Sequence, residues 1–309
     1  MDLLPTPEQD EIIGSIRAVL AGRHTIGEPL SDGLWSSAVE QGWFGLSVAE
    51  ADGGVGYSIV EEGLLFAEIG ASCVPGPFLA TALAAHLAPR LIHDGGRTAL
   101  AEPEGDHLRV IDGPGADRVL VVGSGGAELF DIADLGELTP EPALDELVGL
   151  AVAPRPTARP IATGDVTLRA HVLLGALLAG IARATGEQSV EYAKDREQFG
   201  QPIGGFQAVK HRCADQAVRS DAAMNQVRFA SLAARDGRDD SLFQATAAHL
   251  VAANAAIANA QWNIQNHGGI GFTWEHTAHR YLTRARIWAQ LCGGGYGAAT
   301  QLLSLPTSG

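Results

Sequence analysis

From Gly164 onward the chain is built of long stretches in which apolar residues recur at helical spacing, interrupted by only a few residues of loop. This pattern predicts four helices, over residues 165–193, 205–235, 241–265 and 276–288. Helices of this length joined by brief connections bury their apolar faces mainly against one another, so the C-terminal half is expected to be an antiparallel four-helix bundle.

The N-terminal hundred residues also read as helical. Thr6-Pro7-Glu8-Gln9 is a strong helix start: Thr6 caps, Pro7 suits the first turn and Gln9 completes a capping box. Ser31 is placed to cap a second helix through Leu34, Trp35 and Val39. Two more helices are expected over 58–69 and 77–92. Between the helical halves the character changes. Residues 108–111, 118–122 and 128–132 are short β-like runs separated by Gly and Asp turns, followed by a cluster of prolines. The predicted fold class is therefore mainly α with a reduced central β segment. Its three parts are an N-terminal helical domain (1–95), a small β middle domain (96–163) and a C-terminal helical bundle (164–309).

Composition removes several function classes. A net charge of −15 argues against a nucleic-acid binder, which needs basic surface to displace phosphate counterions. The three cysteines are too widely spaced for a zinc site or a disulfide framework. The longest apolar run, 170–182, contains His171 and is too short to cross a bilayer. With no signal-like N-terminus, the expected location is cytoplasmic.

The densest functional signal is Tyr192-Ala-Lys-Asp-Arg196-Glu-Gln198-Phe199-Gly200-Gln-Pro-Ile-Gly-Gly-Phe206-Gln207. A helix ends, Arg196 is presented in the loop, Phe199 and Gly200 turn the chain, and a new helix begins. An arginine fork at such a junction can hold a pyrophosphate in bidentate fashion. Phe199 and Phe206 are spaced to flank an aromatic ring. On spacing alone a salt-bridged helical corner explains the segment equally well.

This segment resembles the signature of the acyl-CoA dehydrogenase family, Y-x-x-x-R-x-x-F-G-x-x-I-x-x-F-Q. A second segment, Gln265-Asn-His-Gly268-Gly269-Ile-Gly271-Phe, is similar to that family's Q-x-x-G-G-x-G-[FY] turn. The resemblance implies that Arg196, Gln198, Phe199, Gly200, Phe206 and Gln207, with Gln265, Gly268 and Gly269, contact the adenosine and pyrophosphate of an FAD bound mainly by a neighbouring subunit. The loop 50–56 looks like the family's P-E-x-x-G-G-x-G loop, with Ala49 in place of the proline. Ala101-Glu-Pro-Glu-Gly-Asp106 resembles its T-E-P flavin loop.

The departures from the family are equally informative. Its members carry a catalytic glutamate at one of two positions, and by match these are Ala170 and Cys292 here. Neither is a carboxylate, and a buried thiol is a poor proton acceptor. His171 is the one neighbouring side chain with suitable chemistry. The middle region looks abridged on the side that embraces the flavin ring. The whole therefore resembles the short subunits of heterotetrameric acyl-CoA dehydrogenases of actinobacteria, some of which act on sterol side-chain thioesters. This implies FAD shared with a full-length acyl-CoA dehydrogenase partner, an acyl-CoA substrate, and no base of the usual kind in this chain. The alternative is a non-catalytic acyl-CoA-binding or scaffold homodimer on the same fold.

Other motifs are weaker. Val121-Val-Gly-Ser-Gly-Gly126 approaches a dinucleotide fingerprint, but Glu128 replaces the last glycine and no long helix follows. His276 and His279 lie three apart with no evident third metal ligand.

Overall fold

The structure, a computed structural model, describes residues 3–307. Four N-terminal helices form as the capping signals direct. In α1 (Pro7–Arg23) the Thr6 side chain accepts from the Gln9 N–H, and the Gln9 amide oxygen accepts from the Thr6 N–H. Ser31 caps α2 (Asp32–Glu40) and Ser58 caps α3 (Ile59–Ala71), the latter in a second capping box with Glu61. Helix α4 (Phe78–Leu87) is shorter than expected because Pro89 ends it: Ala88 leaves helical geometry, and a separate 3-10 turn spans Pro89–Leu91.

The middle region is a single seven-stranded sheet, where only three strands were expected. Its order is β5 (Thr139–Glu141), β6 (Leu150–Pro154), β2 (His107–Ile111), β1 (Thr98–Glu104), β3 (Arg118–Gly123), β4 (Gly126–Asp131), β7 (Ala162–Gly164). Strand β1 escapes sequence reading for a physical reason. It lies at the centre, is buried through Glu102, and so shows no alternation of apolar and polar residues. The segment 101–106 is therefore not a loop. It is the end of β1 and the turn of a hairpin into β2. Pro103 is tolerated because the parallel pairing with β3 ends at Ala101. The glycine run 123–126 is likewise the β3–β4 hairpin turn and not a dinucleotide fingerprint.

The bundle follows as α5 (Thr167–Asp195), α6 (Gln207–Arg235), α7 (Ser241–His267) and α8 (Ala278–Trp288), with a short unforeseen α9 (Tyr296–Leu302) after a glycine-rich turn. His276 precedes α8 and its Nδ1 accepts from the Ala278 N–H, so it acts at the helix start and not on a helix face. Chain direction alternates, so α5 and α7 point the same way and their last turns share one end of the bundle. Two stretches, Thr167–Asp195 and Ser241–Phe272, are long and apolar enough to cross a membrane. Their apolar windows are 78% and 50% buried inside the fold, as expected of core helices.

The two helical parts share one core. Where α3 crosses α5 the backbones touch: a Cβ on Gly70 would sit 2.0 Å from the Leu177 carbonyl oxygen, and one on Gly180 would sit 2.0 Å from that of Ala67. Buried charges tie the parts together. Arg284 on α8 donates to Asp145 at 2.7 Å and to the Val74 carbonyl at 2.8 Å. Glu62 on α3, fully buried, accepts from Arg169 and from the Ser47 hydroxyl. Burial opposes its ionisation, but Arg169, His86 and Ser47 outweigh this and hold the carboxyl below its usual range.

Candidate functional site

The residues singled out in the sequence fall at two ends of the bundle. At the first, α5 stops at Asp195 and a small hairpin of β8 (Glu197–Gln198) and β9 (Gln201–Pro202) leads into α6. Phe199 and Gly200 form its two-residue turn, both with positive φ, +54° and +81°, as a tight hairpin requires. Phe199 is 93% exposed and meets Phe206 edge-on at 6.0 Å. Arg196 is exposed, and its guanidinium forms no ion pair among the described residues. Gln207 opens α6, whose first N–H groups have no side-chain cap.

The glycine turn lies beside this hairpin. Tyr192 stacks on His267 at 4.2 Å, and Asn266 Nδ2 donates to Cys213 Sγ on α6 at 3.8 Å. The fold thus brings Arg196, Gln198, Phe199, Gly200, Phe206 and Gln207 to the same end as Gln265, Gly268 and Gly269. Gly268 has φ +64° and its N–H donates to the Gln265 carbonyl, closing α7. The space where Cβ atoms on Gly268 and Gly269 would lie is open. Arg196, Gln265 and the two glycines all face solvent. An unpaired guanidinium, uncapped helix N–H groups and open glycine backbone suit a phosphate-bearing ligand approaching from outside the chain.

The second end is a cavity between the sheet and the bundle, of about 660 Å³, lined by Glu102, Arg109, Thr167, His171, Gln290, Cys292 and Gln301 among others. It continues through Pro103, Gly123, Ser124 and Thr167 into a groove of about 830 Å³ along the β3–β4 turn. Cys292 sits in a 3-10 turn with left-handed backbone (φ 52°, ψ 41°). Burial, and then the charge of Glu102, push its thiol far above the ordinary range, so it is inert as an acid or base. Ala170 is fully buried among the helices.

Sequence reading missed what Glu102 does here. From β1 its Oε1 accepts the Cys292 N–H at 2.5 Å, and its Oε2 accepts from Arg109 at 3.0 Å. A carboxylate therefore does reach the Cys292 position, from an element far away in sequence, and no motif spacing could have shown it. His171 was noticed; its partner was not. His171 Nδ1 lies 3.0 Å from Nδ1 of His249 on α7, both rings buried. Burial depresses both, His171 to about 4, and His249 to about 3 with His171 adding to the effect.

Comparison with known proteins identifies the family. Residues 7–102 match the acyl-CoA dehydrogenase N-terminal domain and residues 168–295 the C-terminal domain of the same family. The chain belongs to the acyl-CoA dehydrogenase family. Among curated relatives, acyl-CoA dehydrogenase IpdE2 of Mycobacterium tuberculosis is 33% identical over 90% of this chain and 86% of its own length. Acyl-CoA dehydrogenase FadE34 of the same organism is 38% identical over 82% of this chain, but that match spans only 39% of FadE34. Solved structures agree in fold. The ChsE4-ChsE5 complex from M. tuberculosis has a TM-score of 0.80 at 22% identity over the full length of both chains. A variant of the Tcur3481-Tcur3483 steroid ACAD has a TM-score of 0.80 at 24% identity, covering 96% of this chain and 97% of the other. Acyl-CoA dehydrogenases are flavoproteins and generally bind FAD, and the exposed hairpin and glycine turn fit the phosphate-bearing part of such a group.

Proposed function

We propose that this chain is one subunit of a hetero-oligomeric, FAD-dependent acyl-CoA dehydrogenase, in which it holds the adenosine and pyrophosphate of an FAD whose reactive ring lies in a partner of the same family. The observation that carries this reading is the separation of the two ends. Ala170 and Arg196 sit at opposite ends of one 29-residue helix, roughly 39 Å apart at 1.5 Å per residue. An extended flavin dinucleotide cannot reach from the Arg196 hairpin to this chain's own cavity. This separation supports a hairpin that serves a cofactor covered by another chain.

When bound, FAD accepts hydride from the acyl β-carbon. The residues of this chain work at the far end of the group. Arg196 is free to pair with the pyrophosphate, Gln198 and Gln265 offer amide hydrogen bonds, and Phe199 with Phe206 provides an aromatic corner for the adenine. Neither matched glutamate position carries a carboxylate, which points to a partner that provides the usual base. Exposed apolar side chains that follow the glycine turn, Ile270, Phe272 and Trp274, and the exposed Phe199 fit burial against that partner. The fold relatives described as the ChsE4-ChsE5 complex and as a steroid ACAD support a heteromeric assembly acting on a steroid-derived acyl-CoA.

The visible absorption spectrum tests this. The chain purified alone should show no flavin band. Co-expressed with a full-length acyl-CoA dehydrogenase of the same genome, the complex should show one, and Arg196→Ala should weaken it. A stoichiometric flavin band in the chain alone sinks the shared-site reading. Absence of flavin from every assembly favours a scaffold homodimer.

A further inference from the structure

Away from the hairpin and from the sheet, a small cavity of about 150 Å³ lies where the two helical parts meet, lined by residues of α1, α3, α5 and α6. Two arginines hold its buried carboxylate. Glu68 on α3, 4% exposed, accepts from Arg17 Nε at 2.8 Å and Nη2 at 3.0 Å, and from Arg183 Nη2 at 2.8 Å. Burial opposes its ionisation, but the two arginines outweigh this and hold the carboxyl below its usual range. Both of its oxygens are engaged, so Glu68 is matched without a third cation. Yet a third is present. Arg228 on α6 lines the same cavity as Glu68 and Arg183, and its guanidinium forms no ion pair among the described residues. Its Nε is buried and meets no acceptor there. Burial, and then the charge of Arg183, disfavour its cationic form; Asp10 and Asp221 act the other way with smaller effect, and both are exposed to solvent.

A cation that only held the helices together would be matched from within the chain, as Arg17 and Arg183 are. Arg228 instead leaves a buried donor unmade, which costs about 1–3 kcal/mol, and stands near a second positive charge. An oxyanion removes both penalties at once. It accepts from the guanidinium fork, and its charge offsets Arg228 and Arg183 together. We propose that this cavity binds one small oxyanion of the size of inorganic phosphate, seated on Arg228 Nε and the Arg183 guanidinium. Glu68 does not bar it, because two arginines already neutralise that carboxylate. The size of the cavity narrows the ligand further: about 150 Å³ is well below the roughly 300–1,000 Å³ of pockets that take drug-sized molecules, so a nucleotide does not fit. When occupied, the site joins α6 to the link of Arg17, Glu68 and Arg183, and ties the N-terminal helices to the bundle. Nothing in it depends on the flavin reading.

The test is the melting temperature of the full-length chain in sodium phosphate and in sodium sulfate, against sodium chloride at matched ionic strength, with phosphate binding followed by calorimetry. Both oxyanions should raise the melting temperature above its chloride value, and one phosphate should bind per chain. Arg228→Met keeps the apolar stem and removes the fork. It should weaken phosphate binding by about 10-fold or more, and leave the melting temperature in chloride unchanged or higher. Arg228→Lys keeps the charge without the fork and should recover part of the affinity. Arg196→Ala, at the exposed hairpin, should respond to phosphate as the unaltered chain does. A phosphate response no larger than that of chloride overturns the proposal, as does an equal response in Arg228→Met. A lower melting temperature of Arg228→Met in chloride would make the arginine structural, and the proposal fails. A response lost in Arg196→Ala and kept in Arg228→Met would put the anion at the hairpin, and overturns it as well.

Discussion

The two ends of the bundle solve opposite problems. At the hairpin end the polar groups are exposed: the Arg196 guanidinium forms no ion pair among the described residues, Phe199 is displayed at a turn and the side-chain space at Gly268 and Gly269 is open. At the sheet end several charges are buried and matched across the fold, as in Arg284–Asp145, Glu62–Arg169 and Glu102 with Arg109. The hairpin end should contribute little to the stability of the chain. The sheet end is where the chain holds itself together.

Four experiments bear on that contrast. The largest effect is expected from Arg284→Ala, which strands Asp145 in the core and should destabilise the chain by about 3–5 kcal/mol in urea unfolding. A loss below about 1 kcal/mol would show that this junction is not what binds the parts. Gly180→Ala should cost about 3 kcal/mol, near the top of the range for overpacking, because the added carbon meets a backbone carbonyl that has no rotamer to escape into. The same assay at an exposed glycine such as Gly269 should show almost no change.

Next comes pH. Unfolded imidazoles bind protons below about 6.5. His171 and His249 stay neutral in the fold down to about 4 and about 3. Between those limits the unfolded chain binds more protons, so stability falls as pH drops through the window. A loss on the order of 4 kcal/mol, about 2 from each ring, is expected between pH 7 and pH 5. Depressed carboxyls such as Glu62 should begin to lose their contribution only below about pH 5, as the pH falls through the unfolded glutamate value of about 4.3. Stability unchanged between pH 7 and 5 would mean that the histidine pair is hydrated or already charged. The smallest effect belongs to Arg196→Ala, which should alter stability by less than about 0.5 kcal/mol. If that variant unfolds the chain, the hairpin end is structural and the contrast collapses.

The same contrast explains what could be read from the sequence. Thr6, Ser31 and Ser58 act on backbone three residues or fewer away, so the helix starts were legible as local patterns. The hairpin motif was legible because consecutive residues make it. The sheet was underestimated because its central strand is buried on both faces and carries a proline. Glu102 against Cys292 and His171 against His249 join residues 190 and 78 positions apart. No periodicity connects them; only the packed fold does.

Phe199 holds a left-handed backbone conformation that glycine adopts freely and that an aromatic residue adopts only under strain. Phe199→Gly would relieve that strain and remove an exposed ring. Selection for the solubility and longevity of the lone chain would therefore discard the phenylalanine at this turn. An exposed ring held on a strained turn makes this the point of the chain readiest to adhere to another surface.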